Sequence, residues 1–247
     1  LGVRRIAVVG GGITGLAAAY RLLRLRESRS LDLEVVLLEG SERLGGKIKT
    51  DRSAGVVIEA GPDSFLTAKP DAVELARELG LGERLLSTAE GAHVYVYLRG
   101  RLRRLPDGLM LMAPTKVLPF LRSDLMSLKG KLRMGLDVLV PRGAAGDESL
   151  ADFTRRRLGA EALEAIVDPL MAGIYAGDAE AMSLQSTFPQ FVELERRYGS
   201  VIRGLRAGPR AARKPGALTA FVSFKNGVSE LVEAIAGALG GAVKSGA

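Results

Sequence analysis

The stretch that most restricts this chain is IAVVGGGITGLAAAYRLLRL, residues 6–25. Ile6 to Val9 form an unbroken apolar run, the pattern of a parallel strand covered on both faces, and Leu16 to Leu25 read as a helix. Between them lie Gly10, Gly11, Gly12, Ile13, Thr14 and Gly15. Gly10, Gly12 and Gly15 satisfy G-x-G-x-x-G: the first permits a tight turn, the second lets main chain approach a pyrophosphate, and the third allows close helix packing. A phosphate there would meet unpaired N–H groups and the positive end of a helix dipole.

A second apolar strand, LEVVLLE (33–39), ends in Glu39, twenty-four residues beyond Gly15. A carboxylate at that place can accept hydrogen bonds from both ribose hydroxyls of an adenosine, and it would repel a 2′-phosphate, which disfavours NADP. The plainer alternative is a glycine-rich turn in an α/β fold that holds no nucleotide.

Composition narrows the chemistry. The 247 residues, 47% hydrophobic, suffice for one large or two modest domains with a real core. There is no cysteine, which removes disulfides, thiol nucleophiles, thiolate metal sites and iron–sulfur clusters, and which fits a reducing cytoplasm. The single histidine, His93, sits beside an expected strand and reads as structural or surface, so no metal site and no general base stand out. Redox chemistry would have to come from a cofactor. The net charge of +7 favours acidic partners, but Arg99, Arg101, Arg103 and Arg104 lack interleaved aromatics and read as a solvated face, so nucleic acid is not expected. No apolar run is long enough to span a membrane.

The next segment, EGSERLGGKIKT, places Glu39, Gly40, Arg43, Gly45, Gly46 and Lys47 in the spacing E-x-x-x-R-x-G-G-K. Two adjacent glycines admit a second anionic group to the main chain, with Arg43 and Lys47 as nearby cations. This resembles the second cofactor motif of the flavoprotein oxidases of the amine oxidase and protoporphyrinogen oxidase superfamily. Gly61, Pro62, Asp63 and Ser64, in VVIEAGPDSFL (56–66), make a rigid turn out of a strand. In the light of the resemblance, GPDSF is similar to the loop that lies against the flavin ring in oxidases of porphyrinogens. GIYAGD (173–178) and STFPQF (186–191) also resemble signatures of that group, in the same order. GGKIKT, APTKVLPF and LTAFVSFKNGVSELVEAIA bring the chain nearest to the bacterial oxidases acting on coproporphyrinogen III, with protoporphyrinogen IX as the near alternative.

The resemblance implies FAD as cofactor, which takes a hydride from a porphyrinogen methylene bridge and is reoxidised by dioxygen, in haem biosynthesis. It implies a basic residue for a substrate carboxylate at Lys69 and wall residues at Ile174 and Tyr175; an exposed lysine and ordinary core packing are the plain alternatives. It leaves open a peripheral membrane contact and a homodimer. Two rival readings remain: another flavin oxidase or desaturase of the superfamily, acting on amines or polyenes, and a catalytically incompetent nucleotide-binding fragment. Family members continue well beyond this chain, which reads as an N-terminal half expected to retain FAD weakly.

The expected organisation is an α/β, Rossmann-like FAD-binding domain with an inserted, mostly helical substrate domain. Residues 1–83 form the first cofactor segment and 84–205 the insertion. Residues 206–247 are a linker, within the stretch LRAGPRAARKPG (205–216), followed by the return to the cofactor domain. HVYVYLRGRLRRLP reads as a hairpin about Gly100, Ser149 as the N-cap of a helix stopped by Gly159, and AEALEAIVDPLMAG as a helix despite Pro169. MLMAPTKVLPFLRSDLMSL (110–128) is apolar with scattered cations and reads as core, Met110 and Met112 included, with a peripheral membrane face as the alternative. A final amphipathic helix should bury Val228, Leu231, Val232, Ile235 and Leu239.

Overall fold

The computed structural model describes residues 3–89, 93–110, 112–143, 146–207 and 218–246. The chain divides into two compact units, Leu1–Glu90 with Arg213–Ala247, and Gly91–Ala212. Most of the expected linker, 208–217, and the side chain of Met110 lie outside the described residues.

In the first unit β1 (Arg4–Val9) runs into α1 (Ile13–Ser28) and returns as β2 (Leu33–Glu39), parallel to β1 with Ile6 opposite Val35. A hairpin of β3 (Thr50–Ser53) and β4 (Val56–Glu59) precedes β5 (Phe65–Leu66), α2 (Asp71–Glu78) and β6 (Leu85–Ser87).

The second unit opens with a hairpin of β7 (Tyr95–Leu98) and β8 (Arg101–Arg104), turned by Arg99 and Gly100, both at positive φ as a tight hairpin turn requires. Exposed His93 lies just before it. After β9 (Leu109–Met110) and β10 (Ala113–Pro114), helices dominate: α3 (Val117–Arg122), α4 (Leu128–Gly135), α5 (Leu150–Arg157), α6 (Ala160–Ala162), α7 (Asp168–Tyr175), α8 (Leu184–Thr187), α9 (Pro189–Tyr198) and α10 (Val201–Ala207). The Ser149 side chain accepts the Asp152 N–H at 3.0 Å, capping α5, and Gly159 at φ +96° follows its end. A π-helical segment, Leu163–Val167, joins α6 to α7, so Pro169, which has no N–H to give, falls in the first turn of α7. The core holds Met112, Phe120, Met134, Phe153, Ile166 and Phe191. The 110–128 stretch is therefore split: Phe120, Leu125 and Met126 are buried, whereas Val117, Leu118, Leu121 and Leu128 are exposed.

The chain returns to the first unit with β11 (Phe221–Phe224), α11 (Ser229–Leu239) and β12 (Val243–Ser245). β12 pairs parallel with β2, giving the order β1-β2-β12, and β11 pairs antiparallel with both β5 and β6. Because β6 pairs there, it belongs to this unit, a few residues past the expected boundary at 83/84. α1 and α11 pack against each other, Leu16, Ala19, Leu231 and Ile235 sharing one buried cluster, and the five expected residues are buried, Val228 at the N-cap of α11 and the other four within it. One expectation fails: β1 is an edge strand rather than a strand covered on both faces, with Ile6 37% and Val9 83% exposed. Among the described residues it pairs only with β2, and of its apolar side chains Val8 packs against the core while Ile6, Ala7 and Val9 reach solvent. No described helix is long and apolar enough to cross a membrane.

Candidate functional site

The site is built where β1 stops. Gly10, at φ +101°, donates its N–H to Leu38 O at 2.8 Å and turns the chain toward α1. A Cβ on Gly15 would lie 1.9 Å from the Gly10 carbonyl oxygen, so the fold itself demands glycine there, whereas one on Gly11 would lie 2.6 Å from a Leu44 methyl, which a turn of that side chain can relieve. Gly12 is different. It caps α1 in an extended conformation open to any residue, and a Cβ there would meet nothing within 4 Å. Among the described residues, neither packing nor backbone conformation requires glycine there. No side chain caps α1 and its first turn carries no acid, so the positive end of a 16-residue helix faces that space.

Glu39 closes one side. Its Oε2 accepts the Gly11 N–H at 2.5 Å, while Oε1 accepts the Ser41 N–H at 2.8 Å and the Ser41 hydroxyl at 2.9 Å. Main-chain donation from Ser41, then Gly11, then the Ser41 hydroxyl hold this carboxyl below its ordinary pKa against the opposing effect of burial. A carboxylate has about four lone-pair positions, and three hydrogen bonds already occupy this one. A bidentate grip on two ribose hydroxyls would displace a Ser41 bond. Ser41 was not foreseen; a serine two residues after a strand-ending glutamate is the signal that could have found it.

The second glycine pair abuts the first. Gly45 donates its N–H to Gly11 O at 2.8 Å, Gly12 and Gly45 form a parallel bridge, and a Cβ on Gly46 would lie 3.2 Å from Gly12 Cα. Gly45 and Gly46 take φ of +102° and +57°, which glycine adopts without cost. Arg43 shapes this loop. Its guanidinium donates to the carbonyls of Leu44 (3.0 Å), Ile48 (2.8 Å) and Gly46 (2.6 Å). The exposed Gly40 and Lys47 lie at either end of the loop. A Cβ on Gly61 would sit 2.0 Å from Lys47 O, so the turn of Gly61 and Pro62 is pressed onto the same loop. The Ser64 hydroxyl donates to Asp63 Oδ1 at 2.8 Å, and beside them Leu86, Ser87, Thr88, Phe221 and Ser223 line an open cleft of about 450 Å³. Lys69 is exposed at the start of the turn before α2.

In the second unit Ile174 and Tyr175 end α7 with 56% and 52% exposure, so neither is a core residue. The Tyr175 ring stands edge-on to Phe188, centroids 5.8 Å apart. The first unit thus gathers the residues predicted to hold the cofactor around two touching glycine loops, and the second presents two apolar side chains at a helix end.

A family model for flavin containing amine oxidoreductases matches residues 13–247. Coproporphyrinogen III oxidase of Bacillus subtilis (strain 168) is 41% identical over 242 residues, 95% of this chain and 51% of that protein. The Staphylococcus aureus coproporphyrinogen III oxidase is 38% identical, over 94% of this chain and 50% of that protein. Chloroplastic protoporphyrinogen oxidase 1 of Spinacia oleracea is 36% identical over 96% of this chain and 42% of its own. A solved structure from Exiguobacterium sp. 255-15, provisionally named a protoporphyrinogen oxidase, superposes with a TM-score of 0.81 at 35% identity, over all of this chain and 53% of that one. Putrescine oxidase, at TM-score 0.60 and 18% identity, shares the fold. The chain spans about half the length of the curated relatives it matches. With the family model matched over nearly the whole sequence, the chain belongs to the flavin-containing amine oxidoreductase family and carries its α/β cofactor-binding fold.

Proposed function

We propose that this protein takes part in the FAD-dependent oxidation of a porphyrinogen with dioxygen as acceptor, a step of haem biosynthesis. Coproporphyrinogen III is favoured as substrate over protoporphyrinogen IX, because the 41% and 38% identical relatives bear the former's name. The observation that carries the reading is Gly12, a glycine that the fold does not need, at an uncapped helix terminus against a second glycine loop.

Bound FAD supplies hydride acceptance and the onward transfer of electrons to dioxygen. The residues of this chain bind and orient. Within Gly10 to Gly15, Gly10 and Gly11 set the turn with their N–H groups bonded to Leu38 and Glu39, the first turn of α1 beyond Gly12 offers main-chain N–H groups to the pyrophosphate, and Glu39 fixes the loop and uses its remaining acceptor position for the adenosine ribose. Gly40, Arg43, Gly46 and Lys47 shape and charge the second clamp, while Gly61 to Ser64 present the turn that faces the flavin ring. Lys69 takes a substrate propionate, and Ile174 and Tyr175 wall the apolar macrocycle. On this reading the first unit is the cofactor domain and the mostly helical insertion is the substrate domain, acting in the cytoplasm. The exposed Leu118, Leu121 and Leu128, with Lys116 and Arg122 in the same stretch of sequence, support a peripheral membrane contact, with self-association as the other use.

Titrating the protein with FAD while following flavin fluorescence, then supplying coproporphyrinogen III under air, tests the proposal. Saturable flavin uptake followed by porphyrin fluorescence, with no turnover of an amine panel, is the expected result. Failure to take up flavin overturns it.

A further inference from the structure

Three polar residues to which the sequence reading gives no role, Thr50, Glu59 and Ser229, tie both glycine loops to the returning helix. Thr50 and Glu59 face each other across the β3–β4 hairpin. Glu59 Oε1 accepts the Val228 N–H at 2.6 Å, and Oε2 accepts the Thr50 hydroxyl at 2.8 Å. Thr50 Oγ1 in turn accepts the Ser229 N–H at 3.0 Å, and the Ser229 hydroxyl accepts the Thr50 N–H at 3.0 Å. The result is a closed clasp between segments 169 to 179 residues apart. A Cβ on Gly227, at φ +91°, would lie 2.3 Å from the Thr50 methyl and 2.6 Å from Glu59 Oε1, so no side chain fits between its halves.

The clasp sits on the supports of the cofactor loops. Thr50 follows closely on the second glycine loop. Glu59 is two residues before Gly61, and the intervening Ala60 donates its N–H to Lys49 O at 2.8 Å. One turn beyond Val228 and Ser229, α11 carries Val232, and a Cβ on Gly45 would lie 3.3 Å from both Val232 methyls. Gly45 then bonds to Gly11. The path from α11 to the cradle runs through groups packed or hydrogen-bonded to one another.

We infer that Glu59, with Thr50 and Ser229, is a positioning device for the cofactor: by seating α11 against the hairpin, the clasp sets Gly45 and Gly46 against Gly12 and holds the Gly61–Pro62 turn on Lys47. The inference rests on the flavin-binding reading above. The half-buried Glu59 carboxylate makes the charge-assisted bonds, which are the strong ones in such a network.

The test uses the full chain and two readouts, amide hydrogen exchange in the absence of flavin and FAD affinity. Glu59→Gln and the near-isosteric Thr50→Val should speed exchange of the Gly45, Ile48 and Ala60 amides by about tenfold and weaken FAD binding by about tenfold. Thr50→Ser, which keeps the hydroxyl, should restore both. If only the Val228 and Ser229 amides exchange faster while Gly45 and Ile48 stay protected, the clasp merely anchors α11 and the inference fails. It fails equally if FAD affinity is unchanged in both disruptive variants. A wild-type chain that takes up no FAD, yet whose Gly45 exchange responds to these substitutions, supports the coupling and overturns the flavin reading instead.

Discussion

Around Gly12 the chain is held by main chain meeting main chain, whereas around Arg157 it is held by charge. The first unit sets much of its geometry by leaving side chains out: a Cβ on Gly15 would collide with the Gly10 carbonyl, and one on Gly61 with the Lys47 carbonyl. The second unit buries a guanidinium completely. Arg157 pairs with the fully buried Asp137 at 2.6 Å and with Glu195 at 3.2 Å, and donates to the carbonyls of Asp137, Val140, Pro141 and Gly199. Asp137 also accepts the Ser200 hydroxyl and the Ile202 N–H, so one ion pair joins the end of α5 to the α9–α10 junction. The charged groups of the first unit, Glu39 and Arg43, bond mainly to the main chain of the glycine loops rather than to each other, whereas those of the second unit pair directly in its interior.

The largest expected effect breaks the charged side of this contrast. Arg157→Met removes the cation and leaves Asp137 buried without a counter-charge, which costs about 3–5 kcal/mol, while Glu195 keeps Arg156 at 2.7 Å. Arg157→Lys should recover little, because an ammonium cannot span the same fork of acceptors. Urea unfolding measures both. A loss under about 1 kcal/mol would show that apolar packing, not the ion pair, holds the second unit.

Next comes the glycine side. Gly15→Ala forces a methyl to within 1.9 Å of the Gly10 oxygen and should cost about 1–3 kcal/mol of stability as well as FAD binding. Gly12→Ala separates fold from function: stability should stay within about 0.5 kcal/mol, while FAD affinity drops by at least about tenfold as the methyl occupies the cradle. Equal FAD binding by wild type and Gly12→Ala would remove the observation on which the proposed function rests.

A smaller effect separates the two uses of carboxylates. Glu39 is held below its ordinary pKa by the N–H groups of Ser41 and Gly11, so its contribution is complete above the ordinary value of 4.5 and is lost as pH falls through the lower folded-state value. FAD affinity of the wild type should therefore stay level as pH is lowered to that range and fall beneath it. Glu39→Gln should bind more weakly throughout and lose that acid limb, as a fluorescence titration from about pH 6 to about pH 3 would record.

The same contrast explains what could be read from sequence. Glycines with fixed spacing between an apolar run and a helix are a local pattern, so the strand–turn–helix of residues 4–28 and the strand ending at Glu39 were legible. The Ser149 cap and the Arg99–Gly100 turn were legible for the same reason. Contacts between distant segments were not. An apolar run such as Ile6 to Val9 reads the same in an edge strand as in a central one, so the exposure of Ile6 and Val9 came only with the sheet order. Arg43 looked like a cation for an anionic ligand, and its bonds to three carbonyls depend on a loop whose backbone cannot be inferred from spacing. Arg157 was hidden in the basic run of α5, where its neighbour Arg155 is exposed and pairs with Asp152 and Glu180.

The smallest effect tests whether the second unit also keeps an open surface for function. Ile174 is 56% exposed at the end of α7, so Ile174→Ala removes little packing and should change stability by no more than about 0.5 kcal/mol. Tyr175→Ala also gives up the edge-on contact with Phe188, worth about 0.5–1.5 kcal/mol. If these side chains wall the substrate, both variants should raise KM for coproporphyrinogen III several-fold with little change in kcat, because apolar contacts kept through the reaction contribute uniform binding. The two effects then come apart: Tyr175→Ala shifts Tm and KM, Ile174→Ala shifts KM alone. A Tm shift without any KM change in either variant would assign this helix end to folding, and would leave the glycine loops of the first unit as the part of the molecule committed to chemistry.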